Sequence, residues 1–167
     1  MAKEPFLVTL RELARCYQAF EAYSAAHVRT LGLTPPQFDI VATLGNTEGM
    51  TFKDLGEKTL ITKGTLTGVV DRLAEKKLVR RVASATDGRS QIVQLTAKGA
   101  ALFDKVFPAH IATMRRAFSS ISTEELEQAR TALARLRGAI ENEVSVQADA
   151  GLIGVKRSGR NPNARQA

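Results

Sequence analysis

TKGTLTGVVDRLAEKK, residues 62–77, carries the pattern from which the rest of the architecture follows. Leu66, Val69, Val70 and Leu73 fall at i, i+3, i+4 and i+7, which places four apolar side chains on one helical face. The opposite face carries Gly64, Gly68 and Asp71, with Thr65, Thr67 and Arg72 on its flanks. Thr62 stands where its hydroxyl is expected to cap the first turn by accepting a backbone N–H. Two glycines in an exposed helix cost roughly 1 kcal/mol each relative to alanine. Such a bare face lets the backbone approach something large. Short hydroxyls and Lys63 at the helix start suit the major groove of DNA, where base edges and phosphates are both within reach. An ordinary amphipathic helix with loosely chosen polar residues is the competing interpretation, and the flanking sequence decides between them.

Upstream, Thr51 and Asp54 open a short helix, Phe52 to Lys58, and Thr59-Leu60-Ile61 is a tight connection into residues 62–77. Helix, brief turn and second helix make a helix-turn-helix pattern. Met50-Thr51-Phe52 is too short for more than a single β-bridge. Before it, Thr34-Pro35-Pro36-Gln37 starts another helix, with Thr34 as cap, Pro35 at the first position and Gln37 completing a capping box. Its buried side is Phe38, Val41 and Ala42, with Leu44 or Gly45, and Asn46 to Gly49 closes it.

Downstream the period becomes roughly alternating. Residues 79–82 and 91–95 are strand candidates, and the Asp87-Gly88 turn lies between them. A basic hairpin directly after a helix-turn-helix is a wing. Thr96 then caps a helix to about Phe118, which Pro108 is expected to kink or break.

Two long helices flank this unit. Residues 6–31 carry Leu10, Leu13, Tyr17, Phe20, Ser24, Val28 and Leu31 at 3-4 spacing, ended by Gly32. Ser122-Thr123-Glu124-Glu125 opens the last helix, with Leu126, Ala129, Leu133, Leu136, Ile140 and Val144 along one side. Neither stripe has a partner within a small winged domain. A second subunit would cover both, and an intrachain bundle is the alternative. The domain organisation expected is therefore dimerisation helices at 6–31 and 100–147, a winged helix-turn-helix at 34–99, and a basic tail at 148–167 without fixed structure.

Composition narrows the class. With 167 residues, 44% hydrophobic and 25% charged, the chain is ordinary for a globular protein. Its single cysteine excludes an intrachain disulfide and fits a reducing compartment. MAKEPF offers no apolar signal core, and no apolar run approaches the ~18 residues of a membrane span, so a cytoplasmic location is expected. The net charge of +7 is localised: residues 51–99 contribute +5, the last twenty +3, residues 1–50 −1, and 100–147 nothing. Positive charge concentrated around the glycine-bearing helix is the footprint of a polyanion-binding surface.

With helix 62–73, Leu78-Val79-Arg80-Arg81, Asp87-Gly88-Arg89-Ser90 and Val93-Gln94-Leu95-Thr96-Ala97-Lys98-Gly99 in this order, the chain resembles the MarR family of bacterial transcriptional regulators over roughly residues 6–147. The resemblance implies a mainly α-helical homodimer with one winged helix-turn-helix per subunit, joined through its terminal helices. It further implies two recognition helices in successive major grooves of a pseudo-palindromic operator, with half-sites one turn apart, ~34 Å. Thr62, Lys63, Gly64, Thr65, Thr67 and Gly68 match the family's reading positions, and Arg89 its minor-groove wing arginine. Asp87 looks structural, holding Arg89 or Arg81, beside Ser90. Lys53, Arg72, Arg80 and Lys98 are phosphate candidates.

The resemblance also implies a small aromatic or acidic effector in a crevice lined by Arg11, Arg15, Tyr17, Tyr23, His27 and Phe38, and hence a ligand-released repressor. Some relatives sense peroxide through a first-helix cysteine. In that group the cysteine lies further upstream of the Pro-Gln motif than Cys16 does here, so Cys16 is expected to be a buried, inert thiol. His27 and His110 are the only histidines and have no partner at metal-ligand spacing, so no metal or other cofactor is expected. A winged helix serving as a protein-interaction module without DNA affinity is the alternative. An enzyme is disfavoured, since no phosphate loop or nucleophile–base pair is present in the motifs.

Overall fold

The computed structural model describes residues 4–59, 61–83 and 90–151. They run α1 (Pro5–Thr30), α2 (Pro35–Leu44), β1 (Met50–Thr51), α3 (Phe52–Thr59), α4 (Lys63–Glu75), β2 (Val79–Ala83), β3 (Gln91–Leu95), α5 (Ala97–Ala117) and α6 (Thr123–Asp149). The fold is mainly α, with one antiparallel sheet in the order β1-β3-β2. Helices α1 to α5 and the sheet belong to one compact unit, and α6 to another.

Local chemistry sets most of the boundaries. Gly32, at φ +75, gives its N–H to Arg29 O (3.1 Å), and Leu33 N–H reaches Val28 O (3.4 Å), a Schellman closure of α1. The capping box of α2 forms as expected: Gln37 N–H bonds Thr34 Oγ1 (3.4 Å), while Thr34 N–H bonds Gln37 Oε1 (3.2 Å). Ser122 and Glu125 make the same reciprocal pair at the start of α6. Helix α4 closes like α1 but with Lys77 at φ +58, sending Leu78 N–H to Leu73 O (2.9 Å) and turning Leu78 inward.

Leu66, Val69, Val70 and Leu73 are all buried. They pack with Ile40, Val41 and Leu44 of α2, Leu55 of α3, Val93 of β3 and Phe103 of α5. A second cluster, Val28, Leu33, Phe38 and Val106, ties α1 and α2 to α5.

The expectations for residues 50–52 and for a break at Pro108 change. Met50 and Thr51 form a two-residue strand paired with Val93 and Ile92, more than a single bridge. Pro108 does not end its helix, and α5 continues to Ala117. The proline ring is exposed while Val106 and His110 on either side are buried, so flanking packing carries the helix across the missing hydrogen bond. Along α1 only Val28 is buried, whereas Leu10, Leu13, Tyr17 and Phe20 are exposed. No residue of α6 is buried, and Leu126, Leu133 and Ile140 are exposed.

Candidate nucleic-acid interface

The apolar side of α4 is anchored in the core, which turns its other side outward. Gly64, Thr65, Thr67, Asp71 and Arg72 are exposed and Gly68 is half-buried. A Cβ added at Gly64 would meet nothing within 4 Å, and one at Gly68 only Arg72 Nη2 at 3.6 Å. Neither glycine has a positive φ. No packing among the described residues, and no backbone geometry, therefore requires either glycine. Thr62 occupies the N-cap position, but the expected side-chain cap is not made. Thr65 N–H and Leu66 N–H both bond the Thr62 main-chain oxygen (3.0 and 2.9 Å), and the Thr62 hydroxyl donates to Thr65 Oγ1 instead (3.1 Å). A neighbouring hydroxyl one turn on competes with the backbone. A helix start lacking a side-chain cap leaves first-turn N–H groups to water or to a bound anion.

The hairpin joins this helix through Arg81. Its guanidinium pairs with Asp71 on α4 and lies 5.1 Å from the centre of the Phe52 ring on α3. Arg81 thus fixes β2 to the helix-turn-helix through Asp71, a partner not expected from the sequence. Arg80 Nε donates to Gln94 Oε1 across the ladder (3.2 Å). Lys98 Nζ bonds Lys76 O (2.9 Å), capping a carbonyl at the end of α4. Lys53 is exposed and Ser90 half-buried at the foot of β3. Asp87 and Arg89 lie outside the described residues, as does the tail beyond residue 151.

Arg72 also lines an open cleft of about 500 Å³ with Arg29, Gly32, Leu33, Thr34, Gln37, Glu75 and Lys76. Lys76 Nζ donates to Gln37 Oε1 (3.4 Å). Because Pro35 and Pro36 have no N–H and that of Gln37 is bonded to Thr34, the cationic character of this cleft comes from side chains. Arg29 was not foreseen because it nears Arg72 only in the fold, whereas Lys76 stands one helical turn beyond Arg72 and its place beside it was legible.

Three of the six crevice candidates come together. Tyr23 Oη donates to Thr113 O on α5 (3.0 Å), His27 Nδ1 lies 3.1 Å from His110 Nδ1, and the Phe38 and His110 ring centres are 4.5 Å apart. Arg11, Arg15 and Tyr17 are exposed on the N-terminal half of α1, where Tyr17 Oη donates to Glu21 (2.8 Å). That bond and the Glu21 charge raise the tyrosine pKa. Arg15 is twelve residues before His27, about 18 Å along the helix at ~1.5 Å per residue, so it belongs to a different part of α1. Cys16 is exposed, correcting the expectation of a buried thiol: the side of α1 it shares with Leu13 and Phe20 is uncovered in the single chain. The two histidines, dismissed for lack of spacing, face each other. Among the described residues no three potential ligands gather around a metal position, and no helix is long and apolar enough to cross a membrane.

Residues 31–90, from the α1–α2 turn to the foot of β3, match the MarR family. The HTH-type transcriptional regulator MhqR of Bacillus subtilis (strain 168) is 34% identical over 124 residues, covering 74% of this chain and 86% of that protein. The chain belongs to the MarR family. AbsC, a MarR-family transcriptional regulator from Streptomyces coelicolor, superposes with a TM-score of 0.75 at 25% identity, over 85% of this chain and 98% of AbsC. BpsR of Bordetella bronchiseptica, whose DNA binding 6-hydroxynicotinic acid regulates, does so with a TM-score of 0.68 at 25% identity, over 76% of this chain and 91% of BpsR. These relatives are transcriptional regulators, and the chain is a DNA-binding transcriptional regulator of their family.

Proposed function

We propose that this MarR-family protein is a cytoplasmic homodimeric repressor, released from a pseudo-palindromic operator by a small aromatic or acidic ligand. The observation that carries the DNA-reading face is the pair of helical glycines, Gly64 and Gly68, which nothing among the described residues requires. A helix that accepts their cost for no internal return has an external surface to meet. Thr62, Lys63, Thr65 and Thr67 flank them as base-edge readers; Lys53, Arg72 and Arg80 serve as phosphate contacts, joined by Arg29 and Lys76 from the cleft. Arg89, which matches the family's wing arginine by sequence, is assigned to the minor groove. The effector is placed against Tyr23, His27 and Phe38, where α1, α2 and α5 meet, and regulation of BpsR by an aromatic acid supports that chemistry.

Gly64→Ala and Gly68→Ala test the assignment because stability and binding should move in opposite directions. Each should raise folding stability by about 1 kcal/mol. Each should also weaken binding to an operator recovered by sequencing the genomic fragments the purified protein retains. Alanine variants that bind as tightly as the parent would remove the glycine face from the interface. Adding aromatic acids during retention should release the same fragments. Failure to retain any duplex at low ionic strength would favour the protein-interaction alternative.

A further inference from the structure

The chain has two histidines, 83 residues apart, and the fold brings them together. His27 lies in the last turn of α1, His110 is buried on α5, and their Nδ1 atoms are 3.1 Å apart. The ring centres are 5.3 Å apart, the Nδ1···Nδ1 gap plus roughly one ring radius at each end. The nitrogens therefore lie close to the line joining the rings and point at one another. Two imidazoles converging on a metal ion would bring their centres closer. Head-on approach is the geometry of an N–H···N hydrogen bond, in which one ring donates and the other accepts.

Proton counting follows directly. The neutral pair holds one hydrogen between the rings. A first added proton goes to the far nitrogen of the donor ring and strengthens the bond, because the donor becomes a cation. A second has to go onto the acceptor Nδ1, leaving two N–H groups and two positive charges face to face. The surroundings offer no relief. From α1, Ser24 Oγ lies 3.5 Å from His110 Nε2, and Tyr23 is bonded to Thr113 O. From α2, Phe38 packs on the His110 ring, and its neighbour Asp39 has its carboxyl lifted to about 6 by burial. No carboxylate forms an ion pair with either ring among the described residues. Burial, and next the charge of His27, hold the His110 pKa below its ordinary value.

We propose that His27 and His110 form a proton-operated latch between α1 and α5, closed with none or one added proton and opened by the second, and that opening it weakens DNA binding. The link to binding is mechanical. Helix α5 is rooted in the core of the winged domain through Phe103, and α1 meets it through Val28 and Val106 next to the latch. Opening the joint frees α1 to shift against the helix-turn-helix. This half of the proposal rests on the DNA-binding reading above; the titration half does not.

The test uses the full chain with labelled histidines, followed by NMR from about pH 7.5 to pH 5. Affinity for the recovered operator is measured in parallel at fixed ionic strength. All proteins carry Asp39→Asn, which removes the carboxylate that titrates in the same window. The expected result is two separated histidine steps, with affinity falling about tenfold across the lower one. In His110→Gln the amide oxygen still accepts from His27 without taking a proton, and affinity should stay within about twofold over the range. His110→Asn repeats the test with a shorter amide and replaces His110→Gln if that variant does not fold. Two histidines titrating independently at one midpoint would overturn the latch. Separated steps with flat affinity, or parallel loss in parent and glutamine variant, would overturn its regulatory role. Absence of duplex binding at every pH would instead strike the DNA-binding reading, while the titration stands or falls alone.

Discussion

Asp39 shows how a single side chain can work against the fold that holds it. It sits half-buried on α2, and burial raises its carboxyl from 3.8 to about 6. The folded chain then binds this proton more tightly than the unfolded chain, so stability falls as pH rises from about 4 through 6. Asp39→Asn should therefore stabilise the protein at neutral pH, by about 1 kcal/mol once solvent screening of a half-buried carboxylate is allowed for. Urea denaturation at pH 7 and again near pH 4 checks this: the gain should be present at the first and absent at the second. Equal stability of both proteins at pH 7 would mean the carboxylate is better solvated than its burial implies. Residues such as this mark where sequence stops being informative. The helical spacing of Leu66, Val69, Val70 and Leu73 announces their burial, but nothing near Asp39 announces its own. His110 was overlooked for a related reason. Its partner is 83 residues away, and ligand spacing within one helix says nothing about two helices crossing.

At the scale of elements, most starts and stops were legible because they are local chemistry. Thr34 with Gln37, Ser122 with Glu125, and Gly32 act within a few residues of themselves, and each does in the fold what its position suggests. Thr62 makes no side-chain cap, and the helix is not broken at Pro108, because the deciding groups are elsewhere: the hydroxyl of Thr65 in one case, the buried flanks of α5 in the other. Gly99 is a junction of the same kind. A Cβ there would stand 1.9 Å from Leu78 O, which already accepts the Thr96 N–H (3.0 Å), so the first turn of α5 is pressed onto the turn leaving α4. Gly99→Ala must push backbone away from backbone and should destabilise by about 2–3 kcal/mol. Gly64→Ala, the same substitution in another helix, opens onto free space and should stabilise. Thermal melts of the two variants side by side separate a glycine kept for packing from one kept for an external partner. If both substitutions stabilise, α5 is not seated against the α4–β2 turn as described.

For the whole molecule, the sequence exposed a problem that the single chain does not solve. Leu10, Leu13 and Phe20 on α1, and Leu126, Leu133 and Ile140 on α6, keep their helical spacing and remain exposed. Scattered apolar residues are normal on a surface, but periodic stripes along two long helices call for a covering partner. Under the proposed homodimer these stripes meet their counterparts, and the two α4 helices are joined into one bivalent reader of half-sites ~34 Å apart. Leu10→Glu combined with Leu133→Glu should convert a two-chain species into single chains by analytical ultracentrifugation, with helix content unchanged by circular dichroism. The separated heads should lose roughly a hundredfold in operator affinity, since the second binding event is no longer intramolecular. They should also show about half the salt dependence, because each neutralises half the phosphates. That combination distinguishes loss of the dimer from damage to the reading face. A damaged face would weaken binding while the protein remained two chains, as Gly64→Ala should. A parent protein that is already a single chain at the concentrations where it binds its operator would leave the stripes without this explanation and the paired-head model without its hinge.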